Sequence, residues 1–247
     1  MKIGISSLPF YKENILDNLE FIEGLNVNYY EILNEYPNNK IDIDSLNSYN
    51  LNYTLHSPVI DLNLASLNKN IQKLSIAEIK KSIDLARELD SKTVVVHPGS
   101  IPFLSRSFEK ETLAKSRESI KICGDYGKDL GVTVAIENMP KIEGFLYQNI
   151  YKLNELLQEL EMEMTLDIGH AATAGFKENE LYFDSVKHMH LSDNNHEFDE
   201  HLSLGEGSID LKTIVDTFKK NSYDGIYTIE INDKESVVKS LEYLRGL

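Results

Sequence analysis

The sequence predicts an α/β protein folded as a single (β/α)8 TIM barrel that takes up residues 1–247. Three observations lead there. Strand-like and helix-like segments alternate eight times from end to end. The length of 247 residues is that of one such barrel. Side chains able to hold a metal recur at one structural point, the end of a strand-like run. In a closed barrel all those points open on one face. A doubly wound open sheet is the alternative, but it seldom needs eight regular repeats.

The elements follow in order. Short apolar runs place strands near 2–7, 29–34, 52–57, 93–98, 132–138, 163–168, 186–192 and 225–231. Val94-Val95-Val96 is an unbroken β-branched run, as expected of a parallel strand buried on both sides. Helices are predicted near 12–24, 43–50, 70–90, 108–130, 148–160, 178–184, 210–221 and 234–245. In the third, Ile71, Leu74, Ile79, Ile83 and Leu89 are expected on the buried face, opposite Lys73, Lys80 and Glu88. The irregular stretches 99–107, 139–148 and 194–209 follow strands on the proposed catalytic face and are candidate substrate loops. No linker or low-complexity tract divides the chain.

Bulk properties narrow the function. A net charge of −15, from 40 acidic and 25 basic residues, works against duplex DNA or an acidic membrane as a partner. Lys92, Arg106, Arg117 and Lys141 are scattered and form no basic stripe. The single Cys123 forbids an internal disulfide and suits a reducing compartment. Met1 runs straight into a strand pattern without a secretory apolar region, so a cytoplasmic location is expected. No apolar run reaches membrane-spanning length. Phosphate-binding loops, dinucleotide fingerprints and nucleophile elbows are absent from the sequence.

Nine residues are candidate metal ligands: His56, His97, Glu137, Asp167, His170, His190, Asp199, His201 and Glu230. Mixed imidazoles and carboxylates suit zinc, with manganese or iron as alternatives. In Asp167-Ile168-Gly169-His170 the two ligands can face one pocket, or the Asp can simply cap a helix. In Asp199-Glu200-His201 alternation puts the outer two on one side of an extended segment. The glycines after it allow a turn before a helix near Asp210, which could itself be the cap of an otherwise plain polar loop. His188 and His190 point to one side of their strand; His190 is nearer its end and the better ligand, and His188 reads as a hydrogen-bonded core residue. Glu31 reads as a brace or a substrate contact, and His196 as a substrate contact or an exposed loop residue. A buried carboxylate such as Glu137 or Glu230 needs a metal or a paired cation.

These motifs together, LHSPVIDLNLAS, VVVHPGS, VAIENMP, LDIGHAATAG, HMHLSDN, DEHLSLGEGSID and YTIEIN, resemble the xylose isomerase-like TIM-barrel superfamily. That superfamily holds sugar-phosphate isomerases and epimerases together with endonuclease IV. The resemblance covers essentially the whole chain. From the epimerases it implies one metal held by Glu137, Asp167, His190 and Glu230, with His170 on the substrate. From endonuclease IV it implies that His56, His97, His170, Asp199 and His201 join those four to hold three zinc ions. Three departures are visible. Val59 stands where the nuclease has a tyrosine. Met139-Pro140-Lys141 replaces a small-residue run of the nuclease. His196 stands where some epimerases have a substrate-binding arginine. The longer DNA-contacting loops of the nuclease are also missing.

The leading expectation is therefore a metal-dependent isomerase or epimerase of a small sugar or sugar phosphate, with Glu137 and Glu230 as acid/base groups and Glu31, His170 and His196 toward the substrate. More than one divalent ion is expected, two or three, because His56, His97, Asp199 and His201 are surplus to a four-ligand site. The alternatives are a multinuclear phosphoester hydrolase acting on damaged nucleic acid or a small phosphate ester, and a metal-stabilised binding protein without turnover.

Overall fold

A computed structural model describes all 247 residues. Eight parallel strands close into a barrel in chain order, with the first paired to the last. They are β1 Lys2–Ser6, β2 Tyr29–Leu33, β3 Asn52–His56, β4 Thr93–Val96, β5 Thr133–Glu137, β6 Glu163–Asp167, β7 Val186–Leu191 and β8 Ile226–Ile229. The helices are α1 Leu19–Gly24, α2 Ile43–Asn47, α3 Lys69–Glu88, α4 Glu109–Leu130, α5 Ile150–Leu160, α6 Ile168–Thr173, α7 Leu211–Lys220 and α8 Ser236–Arg245. No helix is long and apolar enough to cross a membrane.

Period-two alternation sorts each strand into two faces. Ile3, Ile5, Tyr30, Ile32, Tyr53, Leu55, Val94, Val96, Val134, Ile136, Met164, Leu166, Met189, Leu191, Tyr227 and Ile229 join one continuous apolar core with the helices. The residues between them point into the lumen, and most are polar: Glu31, Thr54, His56, Glu137, Thr165, Asp167, His188, His190 and Thr228 are all buried. Apolar side chains on this face include Val95, Ala135 and Ile226.

Three expectations need correction. Residues 178–184 form no α-helix; a 3-10 turn at Glu178–Glu180 is all that remains. The helix of that unit is α6, which starts directly after β6 because the Asp167 side chain, at its cap, accepts the backbone N–H of His170 at 2.7 Å. The first predicted helix is broken: 3-10 turns at Leu8–Phe10 and Ile15–Asn18 precede the short α1. In α3, Ile71 and Leu74 are exposed. The buried face there is set by Gln72 and Ser75, because Gln72 Nε2 reaches Ser119 Oγ on α4 at 3.0 Å and Ser75 Oγ accepts Asn63 N–H at 2.8 Å. Polar bonding to neighbouring segments displaced the apolar periodicity by one residue.

A candidate metal centre at the barrel mouth

The barrel brings eight strand ends together, and with them all nine candidate ligands. They form three groups, and within each the candidate ligand atoms all lie within 4.8 Å of one another. Glu137, Asp167, His190 and Glu230 make the first, His56, His97 and Glu137 the second, and His170, Asp199 and His201 the third. Glu137 belongs to the first two. One oxygen, Oε1, lies 3.2 Å from His190 Nδ1. The other, Oε2, faces His97 Nε2 at 3.0 Å and His56 Nε2 at 3.4 Å. Glu230 Oε2 approaches the same His190 Nδ1 at 3.1 Å.

The imidazoles are oriented by what their other nitrogens touch. His56 Nδ1 lies 2.8 Å from Ser57 O, His170 Nδ1 2.7 Å from Asn138 O, and His201 Nδ1 2.9 Å from Glu230 O. A carbonyl accepts only, so each Nδ1 carries the proton. In the neutral ring Nε2 is then a lone pair. Yet these Nε2 atoms face carboxylate oxygens; those of His170 and His201 point at Asp199 Oδ2, at 3.0 and 3.2 Å. Lone pair against carboxylate is tenable only with a cation between them, either a proton or a metal ion. Glu137 Oε2, Asp167 Oδ2 and Asp199 Oδ1 are also buried without any hydrogen-bond partner. This donor set fits divalent metal, and carbonyl-anchored imidazoles are how such ligands are held.

Without a metal, protons fill the same places. Burial disfavours charge on His170, but Asp167, Asp199 and Glu137 outweigh it and push its pKa up to about 10. His201 likewise rises to about 10, against burial, through Asp199 and Glu230. Burial would raise Glu137, but His190 and His97 hold it well below the usual carboxylate range. Glu230 is lowered, also against burial, by His190. Asp167 goes the other way, up to about 6, because burial and the nearby Asp199 and Glu137 outweigh His170. His97 is lowered by burial.

Other expected residues fall elsewhere. Glu31 has no solvent exposure. Its oxygens meet His188 Nε2 at 2.7 Å and His190 Nε2 at 2.9 Å, while Thr54 donates to it at 3.1 Å. It braces His190 from the side away from the mouth, so of its two readings the brace fits the geometry. His188 is fully buried beneath, next to Thr228. His196 is exposed in the loop after β7, at φ +66°, and belongs to none of the three groups. The Asp199–His201 pair does meet, though not along a straight extended segment. His201 has φ +47°, which turns its ring back toward β8.

Two positioning residues had no role in the sequence reading. Asn138, fully buried just past β5, accepts Asp167 N–H at 2.8 Å and donates to Asp167 O at 2.9 Å, while its own carbonyl holds His170. Asp193, fully buried just past β7, accepts backbone N–H groups from Asn194, Gly205 and Ile209. It pins both ends of the loop that carries Asp199 and His201. A Cβ on Gly207 would come within 2.3 Å of Asp193 Oδ1, so only glycine lets the loop close over it. The available signal was position: each polar residue lies within two positions of the end of a ligand-bearing strand.

Comparison with known proteins agrees with this architecture. The family model for xylose isomerase-like TIM barrels matches residues 43–247. The uncharacterized protein MJ1311 of Methanocaldococcus jannaschii is 35% identical over 99% of this chain and 88% of its own length. The crystal structure of a D-tagatose 3-epimerase-like protein superposes with a TM-score of 0.91 at 34% identity, covering 100% of this chain and 96% of that one. A probable endonuclease 4 of Mycoplasma mycoides is 25% identical over 81% of this chain and 71% of its length.

Proposed function

The chain belongs to the xylose isomerase-like TIM-barrel family, and from that premise we propose that it is a divalent-metal-dependent isomerase or epimerase of a small sugar. The observation that carries this reading is the convergence of Glu137, Asp167, His190 and Glu230 at the strand ends, in a barrel that superposes on that of a D-tagatose 3-epimerase-like protein. Zinc suits the donors best, with manganese or iron as substitutes. When bound, the ion supplies Lewis acidity that polarises a carbonyl and its neighbouring hydroxyl.

The chain's own groups move the proton. Glu137 and Glu230 are both kept ionised by His190 and its neighbours, so either can accept a proton from the carbon beside a carbonyl. Returning it to the opposite face gives the epimer; returning it to the adjacent carbon gives the aldose–ketose isomer. His170 and the exposed edge of His97 lie where substrate hydroxyls would enter, and His196 stands on the rim. Asn138 and Glu31 hold Asp167, His170 and His190 in place.

The test is proton exchange. Metal-loaded protein is incubated with a panel of ketohexoses and pentuloses in D2O, and carbon-bound deuterium and new stereoisomers are followed by NMR. Deuterium incorporation that disappears in Glu137→Gln and Glu230→Gln supports the reading. No exchange with any sugar, together with hydrolysis of a phosphoester, overturns it.

A second reading has its own observation. The groups His56–His97–Glu137 and His170–Asp199–His201 are surplus to a one-metal isomerase and would suit a multinuclear phosphoester hydrolase. Incision of an abasic-site duplex by metal-loaded protein, absent in Glu137→Gln, would establish it. The net charge of −15 leads us to expect weak, salt-sensitive duplex binding and no efficient incision.

A further inference from the structure

A cavity of about 230 Å³ opens beside the metal-ligand cluster. Its walls are Val59, Leu62, Leu64, Ile79, Met139 and Phe145, supplied by the segments after β3 and β5 and by α3. Its one titratable lining residue is His97, whose side chain is 27% exposed and whose Nε2 sits 3.0 Å from Glu137. The cavity therefore begins where the ligand groups end.

Most of its polar atoms are already committed. Ser75 Oγ accepts Asn63 N–H and donates to Ile71 O. Ser100 exchanges both backbone groups with the Asn63 side chain, at 3.0 and 2.9 Å. The walls are tied to one another as well: Ile101 N–H donates to Gly144 O at 2.6 Å and Leu146 N–H to Gly99 O at 3.3 Å. Gly99, at φ +98°, lets the loop after β4 pack against the segment after β3, since a Cβ there would lie 2.7 Å from Ala65 N. The pocket is preformed, and no lysine, arginine, aspartate or glutamate lines it.

We propose that this cavity is a substrate subsite for a compact apolar substituent, such as a deoxy, alkyl or aryl group, carried next to the sugar's reacting carbons. The substrate class is then a modified sugar and not a sugar phosphate, a refinement that rests on the isomerase reading for the word sugar. A phosphate would find no lysine or arginine there, and a polyol arm would leave most of its hydroxyls without partners. A cavity of 150 Å³ with apolar walls already admits a benzene ring, so about 230 Å³ takes a substituent of that size.

The test uses the metal-loaded full chain with methionine methyls labelled in 13C; a Met139→Leu variant assigns the Met139 signal among the five methionines. Benzyl alcohol, glycerol and inorganic phosphate are titrated separately. Benzyl alcohol should shift the Met139 methyl saturably, while glycerol and phosphate should not. Val59→Phe, which fills the cavity from a partly exposed position, should weaken benzyl alcohol at least tenfold. Its fold should survive, because the anchor there is the Glu35 carboxylate on the backbone N–H groups of 59 and 60, which the substitution leaves intact. Val59→Ala should bind at least as well as the parent. A saturable phosphate shift at Met139 that Val59→Phe abolishes, or benzyl alcohol affinity unchanged in Val59→Phe, overturns the subsite. The two readings fail separately. Benzyl alcohol binding without turnover of any sugar removes the isomerase and leaves the apolar subsite. Turnover of an unmodified ketose at least as fast as its deoxy or aryl counterpart, without benzyl alcohol binding, does the reverse.

Discussion

The two faces of the same eight strands are built from different chemistry. Toward the helices each strand presents Ile, Leu, Val, Met or Tyr, and these merge into one apolar core. Toward the lumen the same strands present Glu31, Thr54, His56, Glu137, Asp167, His188, His190 and Thr228, all buried. The outer layer works by non-directional burial, so many apolar sequences would serve. The lumen works by directed contacts between groups that are costly to bury alone. Stability should therefore belong to one face and chemistry to the other, even at adjacent residues.

The largest expected effect is on the inner face. Glu137 serves two ligand groups, so Glu137→Gln should lower turnover by about 100-fold or more and reduce bound metal, while circular dichroism stays native. Glu230→Gln should behave likewise. Near-native kcat in either variant would remove that residue from the mechanism.

Leu166 and Asp167 are neighbours on β6 that face opposite ways. Leu166→Ala should cost about 2–5 kcal/mol in urea unfolding and leave metal stoichiometry unchanged. Asp167→Asn should do the opposite, losing metal with little loss of stability in chelator-treated protein. A Leu166→Ala protein that folds but no longer binds metal would break the division of labour between the faces.

Asn138 tests whether support of the inner face matters as much as the ligands. Asn138→Ala removes the hold on Asp167, and metal affinity by competition with a chelator should fall about 10- to 100-fold. Unchanged affinity would make Asn138 a purely structural residue.

The pH response should sharpen the contrast further. In metal-free protein the pKa values of His170 and His201 lie near 10, above the ordinary 6.5. Their stabilisation is complete below about 6.5 and is lost as pH rises toward about 10. Bound metal replaces those protons, so the loaded protein should not show that loss. Urea midpoints at both ends of this window, with and without chelator, decide it; parallel curves would place no metal at these imidazoles. The smallest effect belongs to the rim. His196→Asn, which tolerates the positive φ, should change stability by about 0.5 kcal/mol or less, measured by the same unfolding assay.

The eight strands were legible because short apolar runs recur along the chain, and most of the ligands because they close such runs. The pattern was poorer for helices. Residues 178–184 looked helical, but the helix of that unit had already formed at Ile168–Thr173, capped by Asp167. Asp167 shows why motif readings were left open: Oδ1 caps α6 while Oδ2 stays unpartnered among the ligands, so both readings of the motif coexist. Asn138 and Asp193 went unassigned because a buried polar residue next to a ligand resembles any loop-forming Asn or Asp until its partners are known.

By itself the sequence determined the barrel, the two faces of its strands and the nine candidate ligands, because alternation and chain order are local properties. The resemblance already groups Glu137, Asp167, His190 and Glu230, but how the other five ligands divide was decided only in three dimensions. Glu137 sits opposite Thr165 in the sheet register and Asp167 opposite His190, yet closure of the barrel points Glu137 and Asp167 at one His190 nitrogen. The left-handed turn at His201 joins the third group to β8, and the stitching of three loops shapes the apolar cavity beside His97. Such groupings depend on distances between residues remote in sequence, and those distances come into existence only when the last strand pairs with the first.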